Sequence, residues 1–343
     1  MILTYRYRVK DKHTAKLCRM AKAVNFVWNF CNDTQKSALK WGKKWPSGYD
    51  LMKLTSGSSK ELNISANTIN QICARYDRSR KQHKKRFLRY RCHKSLGWIP
   101  LRADDITPEN DFFRYYGQHY QVWNSRQIPS NSKICDGSSF SQDARGRWYL
   151  NIVLNIPILE AANDSTIGID LGLKDLATLS NGTKISAPRH YRNTQARLAK
   201  AQRARKKRQV TKIHAKITAQ RRDHLHKVST NIVKDHGLIV VGNVNSSALA
   251  KTRMAKSVLD AGWASFKNML AYKSIANGAT FLEVNEAYTT QTCSDCGVIG
   301  GPKGRQGLGI REWQCVCGCI HDRDHNSALN ILRIGQDTLR GAA

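Results

Sequence analysis

The chain has 343 residues and carries 57 Lys and Arg against 25 Asp and Glu, a formal net charge of +32, with 41% hydrophobic residues. That apolar content supports a core and excludes wholesale disorder, and the length suits about two domains. No apolar run approaches the roughly 18 residues of a membrane span, and the opening MILTYRYRVK lacks the apolar stretch of a secretory signal, so neither a secreted nor an integral membrane protein is expected. Such a charge repels itself in a compact state unless a polyanion neutralises it. Nucleic acid is the expected partner; membrane is not, because no basic helix with a strong apolar face stands out.

Residues 1–10 alternate around Leu3, Tyr5, Tyr7 and Val9 and predict a short strand. From His13 to Trp41, Leu17, Met20, Val24, Val27, Trp28 and Cys31 recur at three or four and predict a helix ended by Gly42 and Pro46. A Gly/Ser-rich stretch at 55–59 reads as a loop. Residues 65–94 predict a second helix with Ile69, Ile72 and Tyr76 on one face. Its second half, Arg75 to Lys94, holds ten Lys and Arg and one acid. Ion pairs cannot balance that excess, so Arg75, Arg78, Arg80, Lys81, Lys84, Lys85 and Arg86 are expected to face phosphates. Residues 98–157 are rich in aromatic and β-branched residues and predict a small β-barrel or sheet, to which residues 1–10 add a strand. The aromatics in FFRYYGQHYQVW suit base stacking and an ordinary half-buried sheet equally.

From residue 166 the pattern becomes α/β. TIGIDLGL is a strand, and DLATLS and TKISA form a hairpin closed by Asn181-Gly182. A long helix is predicted over about 190–235. Between Lys184 and Lys227 there are 15 Lys and Arg against Asp223 alone, making Arg203, Arg205, Lys206, Lys207, Arg208, Arg221 and Arg222 further candidates for nucleic-acid contact. LIVVG (238–242) is a buried strand, 254–277 a helix and ATFLEVN (279–285) a strand. A last helix runs from Asp324 to Ile334, and 335–343 reads as a frayed tail.

The ten cysteines divide in two. Cys18, Cys31, Cys73, Cys92 and Cys135 are scattered with no shared spacing, and Cys18 and Cys31, on helical patterns, read as buried free thiols. Cys293, Cys296, Cys315, Cys317 and Cys319 cluster, which favours a metal site over a disulfide framework. Cys293-Ser-Asp-Cys296 is one knuckle. The second takes Cys315 and one of Cys317 or Cys319, with Cys317 preferred and Cys319 a possible substitute. Four thiolates from two knuckles make a closed tetrahedral Zn²⁺ site.

Acids are scarce, so each one in an apolar strand is informative. An ionised Asp170 inside TIGIDLG is costly unless paired or metal-bound, and Gly168 and Gly172 beside it suit close approach of a ligand. Asp324 opens the last helix, as a metal ligand or as a cap. Strand, hairpin, helix, strand, helix, strand, helix, with Asp on the first strand and on the last helix, is an RNase H-like layout. Such sites hold two Mg²⁺ with carboxylates for in-line phosphodiester hydrolysis.

GIDLG, MAKSVLDAGW, AYTTQTCSDCG and HDRDHNSALNIL, in this order, resemble the TnpB (OrfB) family of insertion-sequence RNA-guided nucleases, ancestral to type V CRISPR effectors. The likeness covers about 166–334 with high specificity; the first half matches loosely, through its basic helices and NFVWNFCN (25–32). It implies an α/β chain with all-β and α parts. A wedge β-barrel (1–10 and 96–160) is interrupted by a helical recognition domain (11–95). A RuvC nuclease domain (161–290 and 322–335) carries a zinc-ribbon insert for target nucleic acid (291–321), and a tail follows (336–343). It also implies a guide RNA from the transposon end, one protein per RNA, double-stranded DNA cut beside a short adjacent motif, and a bacterial or archaeal cytoplasmic setting.

Asp170 matches the family's first RuvC carboxylate and Asp324 its third. The second is a Glu ending the strand that reads LIVVG here, where this chain has Gly242. Either Glu286, after the neighbouring strand, has taken over that role, with Glu283 a weaker candidate, or the protein is a nuclease-inactive RNA-guided DNA-binding repressor. The expected activity is Mg²⁺-dependent DNA cleavage by Asp170, Glu286 and Asp324. DNA strand transfer by a transposase of the same fold is disfavoured by the zinc ribbon before the last Asp.

Overall fold

The computed structural model describes residues 1–86, 88–123, 127–157, 163–249, 251–252, 254–304 and 306–341. The chain divides into two compact units, Met1–Pro157 and Ile158–Ala343.

The first unit begins with β1 (Ile2–Val9). Four helices follow: α1 (Thr14–Lys40), α2 (Gly48–Leu54), α3 (Ser59–Leu62) and α4 (Ala66–Gln82). Then come β2 (Trp98–Pro100), β3 (Thr107–Glu109), β4 (Phe112–Tyr115), β5 (Gln118–Trp123), β6 (Lys133–Gln142) and β7 (Trp148–Asn155). The strands form one sheet in the order β2-β6-β7-β1-β5-β4-β3. The opening residues thus insert between β7 and β5, antiparallel to both. Helices and sheet share one core, in which Leu17, Val24, Ile72 and Tyr76 join Tyr115, Tyr120, Phe140 and Trp148. Alternation along β4 and β5 sends Phe113, Tyr115 and Tyr120 inward and leaves Phe112, Tyr116 and Trp123 exposed.

The helix expected over 65–94 ends at Gln82. Lys84 takes a left-handed φ of 48°, which ends the helical path. Beyond it, α1 captures the chain. Asn32 accepts from the Leu88 N–H at 3.0 Å and donates to its carbonyl at 2.8 Å. Asn29 does the same for Arg91, at 2.8 Å each way. The Trp28 indole donates to Arg89 O at 3.1 Å. With Asn25, which accepts from Arg91 Nε at 2.6 Å, these are the polar residues of NFVWNFCN, and they hold the basic segment extended along α1.

The second unit comprises β8 (Thr166–Leu171), β9 (Asp175–Leu179), β10 (Lys184–Ser186), α5 (His190–Arg203), α6 (Lys207–Asp235), β11 (Leu238–Gly242), α7 (Ser246–Leu249), α8 (Ala255–Ala261), α9 (Trp263–Ala276), β12 (Thr280–Val284), β13 (Glu312–Gln314), β14 (Ile320–Asp322) and α10 (Arg323–Arg340). Its sheet runs β10-β9-β8-β11-β12. β8, β11 and β12 are parallel, and β9 and β10 are antiparallel. Side chains alternate between two cores. Ile239 and Val241 pack with Leu225, Phe266 and Leu270 of α6 and α9, whereas Val240 and Val284 pack with Ile331 of α10.

Three expectations change here. The long helix over 190–235 is a hairpin of α5 and α6, broken where Arg205 adopts a φ of 51° and closed by Leu198, Ala201, Ile213 and Ile217. The helix over 254–277 is split at Gly262, whose φ is 71°. The tail is no frayed end: α10 continues to Arg340, because Gly335 lets it lie on the sheet, where a Cβ would stand 2.5 Å from Val240. Gly168 serves the same contact. A Cβ there would overlap Ala328 O and come within 2.8 Å of Leu332. It admits a helix, not the ligand expected from its sequence position.

Candidate active site and cysteine cluster

β8 and β11 run side by side with Ile169 opposite Val241, and β11 and β12 pair Gly242 with Val284. Asp170 and Gly242 therefore end adjacent strands, and Glu286 follows the next one. The missing Cβ of Gly242 would lie 3.1 Å from Glu286 Cβ and 3.3 Å from Ile331, and would overlap Glu286 Oε2. The Glu286 carboxylate fills the space that a side chain at 242 would occupy. Burial pushes its carboxyl above the usual range and Glu283 adds to this, against the pull of Lys267 and the Val244 N–H. Glu283 is itself paired with Lys267 at 2.5 Å.

Burial and the negative charges of Asp324 and Glu286 push Asp170 up to about 7, although the Ser327 hydroxyl donates to it and Arg323 lies nearby. A buried carboxyl set against two further acids invites a cation. Among the described residues, the sets of three or more ligand atoms lying within 4.8 Å of one another are those at the cysteine knuckles. The three carboxylates do not form such a set.

Asp322, not Asp324, caps α10. Its Oδ1 accepts from the N–H groups of Asp324 and His325 at 3.1 and 2.9 Å, and Lys184 pairs with its other oxygen at 2.5 Å. Asp324 is thereby released from capping. Both its oxygens face Arg311 Nη1, at 3.2 and 3.0 Å. Ser327 and Arg311 are contributions that the sequence reading missed.

The thiols of Cys293, Cys296, Cys315 and Cys317 all lie within 4.8 Å of one another, and Cys319 is outside this set. Cys293 and Cys317 are 3.7 Å apart and Cys296 and Cys315 3.5 Å. Tetrahedral Zn–S bonds of about 2.3 Å place sulfurs about 3.8 Å apart. The donor set fits such an ion. The Cys319 N–H, which hydrogen-bonds to Cys317, draws that thiol down to about 6. The His321 ring lies 3.0 Å from Cys293 through Nε2 and stacks on Trp313. Asn326 and Asn330 of α10 donate to the carbonyls of Thr289 and Thr292 and fasten the first knuckle to the helix.

Most of the basic candidates are exposed: Arg75, Arg78, Lys81, Lys84, Lys85, Arg86, Arg203, Arg205, Lys206, Lys207, Arg208 and Arg222. Lys84, Lys85 and Arg86 lie past the end of α4 rather than on it. Two candidates are corrected. Arg80 is buried, paired with Asp77 at 3.2 Å and set over the Trp45 ring. Arg221 is paired with the buried Asp260 at 3.2 Å. Both are held by structural partners.

The strand order, the mixed α/β second unit and the curled sheet with helices in the first define a fold found in one solved structure in particular. The chain superposes on Cas12f1 from a cryo-EM structure of a Cas12f1–sgRNA–target DNA complex with a TM-score of 0.58 over 94% of this chain and 83% of that one, at 12% identity. Residues 157–253 match the OrfB family, described as a probable transposase, and residues 263–331 match the Cas12f1-like TNB domain. A Streptomyces pristinaespiralis protein named "Putative RNA-guided DNA endonuclease" is 38% identical over 96% of this chain and 88% of its own length. InsQ of Escherichia coli K12, named in the same way, is 28% identical over 98% and 92%. The chain belongs to the TnpB (OrfB) family.

Proposed function

We propose that the protein is an RNA-guided DNA endonuclease of an insertion sequence, with a RuvC-type site in its second unit and a zinc ribbon between β12 and α10. The first unit then supplies the wedge and recognition parts. One observation carries the nuclease reading: the Glu286 carboxylate fills the space left by Gly242, next to Asp170. A site merely decaying from an active ancestor has no reason to keep a carboxylate in that volume.

Asp170, Glu286 and Asp324 would hold Mg²⁺, which when bound supplies Lewis acidity and lowers the pKa of a coordinated water. Ser327 orients Asp170, and Lys184 and the α10 N–H groups hold Asp322 as the helix cap, so that Asp324 would need only to exchange its Arg311 pair for metal. Arg311 is placed to neutralise charge beside Asp324. The exposed cations of α4, its extension and the α5–α6 hairpin fit a guide RNA and its hybrid with target DNA, contacting backbones and leaving sequence readout to base pairing. One protein per RNA and a cytosolic setting follow from this reading. No helix among the described residues is long and apolar enough to cross a membrane.

Purified protein should carry a discrete RNA whose sequence maps to the transposon end, and that ribonucleoprotein should cut a matching plasmid with Mg²⁺. Equal inertness of wild type and Asp170→Ala, with target binding retained in both, would favour the repressor reading that Gly242 raises.

A further inference from the structure

The second unit contains a half-enclosed cavity of about 370 Å³, of the size that binds small organic groups. It lies between the β8–β9 turn, the start of α5, the middle of α6 and α8, and its chemistry is asymmetric. Leu173, Leu176, Leu225 and Ala261 make an apolar floor. Lys174, Arg189 and Arg192 stand at the rim and are exposed. Its one acid, Asp260, is already used, by Arg221 at 3.2 Å and by the Tyr191 N–H at 3.0 Å. Arg192 donates to Ser257 at 3.0 Å. Among the described residues Lys174 and Arg189 have no ion-pair partner.

Arg221 and His224 line the cavity, although Arg221 Nε and His224 Nε2 are themselves buried away from it. Arg189 also holds a left-handed conformation at φ 48°, the kind of strain that collects at ligand sites. An apolar floor wants a flat, weakly hydrated group. Unpaired cations at the rim want an anion. A nucleotide meets both requirements.

We infer that this cavity takes one unstacked nucleotide of the bound polynucleotide, its base on the Leu173–Ala261 floor and its phosphate at Lys174 and Arg189. This rests on the guided-nuclease reading for the source of the strand. Recognition of an unstacked base is the ordinary way single strands are read. The cavity would give a basic surface that otherwise follows backbones a fixed register point.

The test uses the full chain and fluorescence anisotropy of short labelled RNA and DNA single strands, with a duplex of equal length alongside. Ala261→Phe should fill the floor and lower single-strand affinity relative to duplex affinity about tenfold. Lys174→Ala, at an exposed position that folding does not need, should reduce the salt slope of single-strand binding by about one. Single-strand binding by both variants within about twofold of wild type would overturn the inference. So would saturable binding of adenosine monophosphate that leaves strand binding unchanged, which would mark a free-nucleotide site. Guided cleavage by both variants at the wild-type rate contradicts the cavity alone. Cavity-dependent strand binding without guided cleavage contradicts the proposed function alone.

Discussion

Burial and two neighbouring charges raise Asp170 from about 3.8 to about 7 in the metal-free chain. An acid whose pKa rises on folding binds more protons folded than unfolded. Its penalty is absent below pH 3.8, grows as pH rises toward 7 and is complete above that. Asp170→Asn should therefore stabilise the metal-free protein by up to about 4 kcal/mol at pH 8 and by almost nothing at pH 4, as read from urea melts. Mn²⁺ should reverse the order at pH 8 by stabilising wild type alone. An equal effect at both pH values would mean that Asp170 is not under this strain. The thiols allow a similar single-residue test. Cys317→Ala should lose bound zinc, whereas Cys319→Ala should keep about one zinc per chain by elemental analysis, since four thiolates complete the site. The reverse result would place Cys319 in the tetrahedron.

At the scale of elements, α10 ties the two sites together. It starts at the Asp322 cap, carries Asp324 and Ser327, holds the first knuckle through Asn326 and Asn330, and presses on β8 at Gly168. Gly168→Ala drives a methyl against the carbonyl of Ala328, which is backbone and cannot swing away. The expected loss is about 3 kcal/mol, or several degrees in Tm by calorimetry, with cleavage lost in parallel. A neutral substitution would mean that α10 does not pack as described. The strands of this unit were legible because each is a short apolar run bounded by turn residues, and Glu286 was legible because its strand had to neighbour β11. The break between α5 and α6 was not. It falls in ARKKR, where no glycine or proline marks it and only tertiary packing bends Arg205. The end of α4 was hidden too, since what stops it is capture of residues 88–91 by Asn29 and Asn32, some 60 residues earlier in the chain. Arg311 and Ser327 meet the carboxylates only through such long-range contacts.

At the scale of the molecule, the +32 charge is divided between tasks. Arg80 and Arg221 are consumed by internal pairs, while the segment past α4 and the α5–α6 turn stay exposed and unbalanced. Protein freed of RNA by nuclease in high salt should lose solubility when salt is lowered, and added guide RNA should restore it, as followed by light scattering. Full solubility without RNA would contradict the assignment of this charge to a polyanion. In the proposed nuclease, Glu286 does the work of the carboxylate missing at Gly242. The measurement is the plasmid cleavage rate of the guided ribonucleoprotein in Mg²⁺ for wild type, Glu286→Ala and the double variant Gly242→Glu with Glu286→Ala. Wild type should cut, Glu286→Ala should lose about 100-fold or more, and the double variant should recover much of that loss. Cleavage by Glu286→Ala at the wild-type rate would contradict the account.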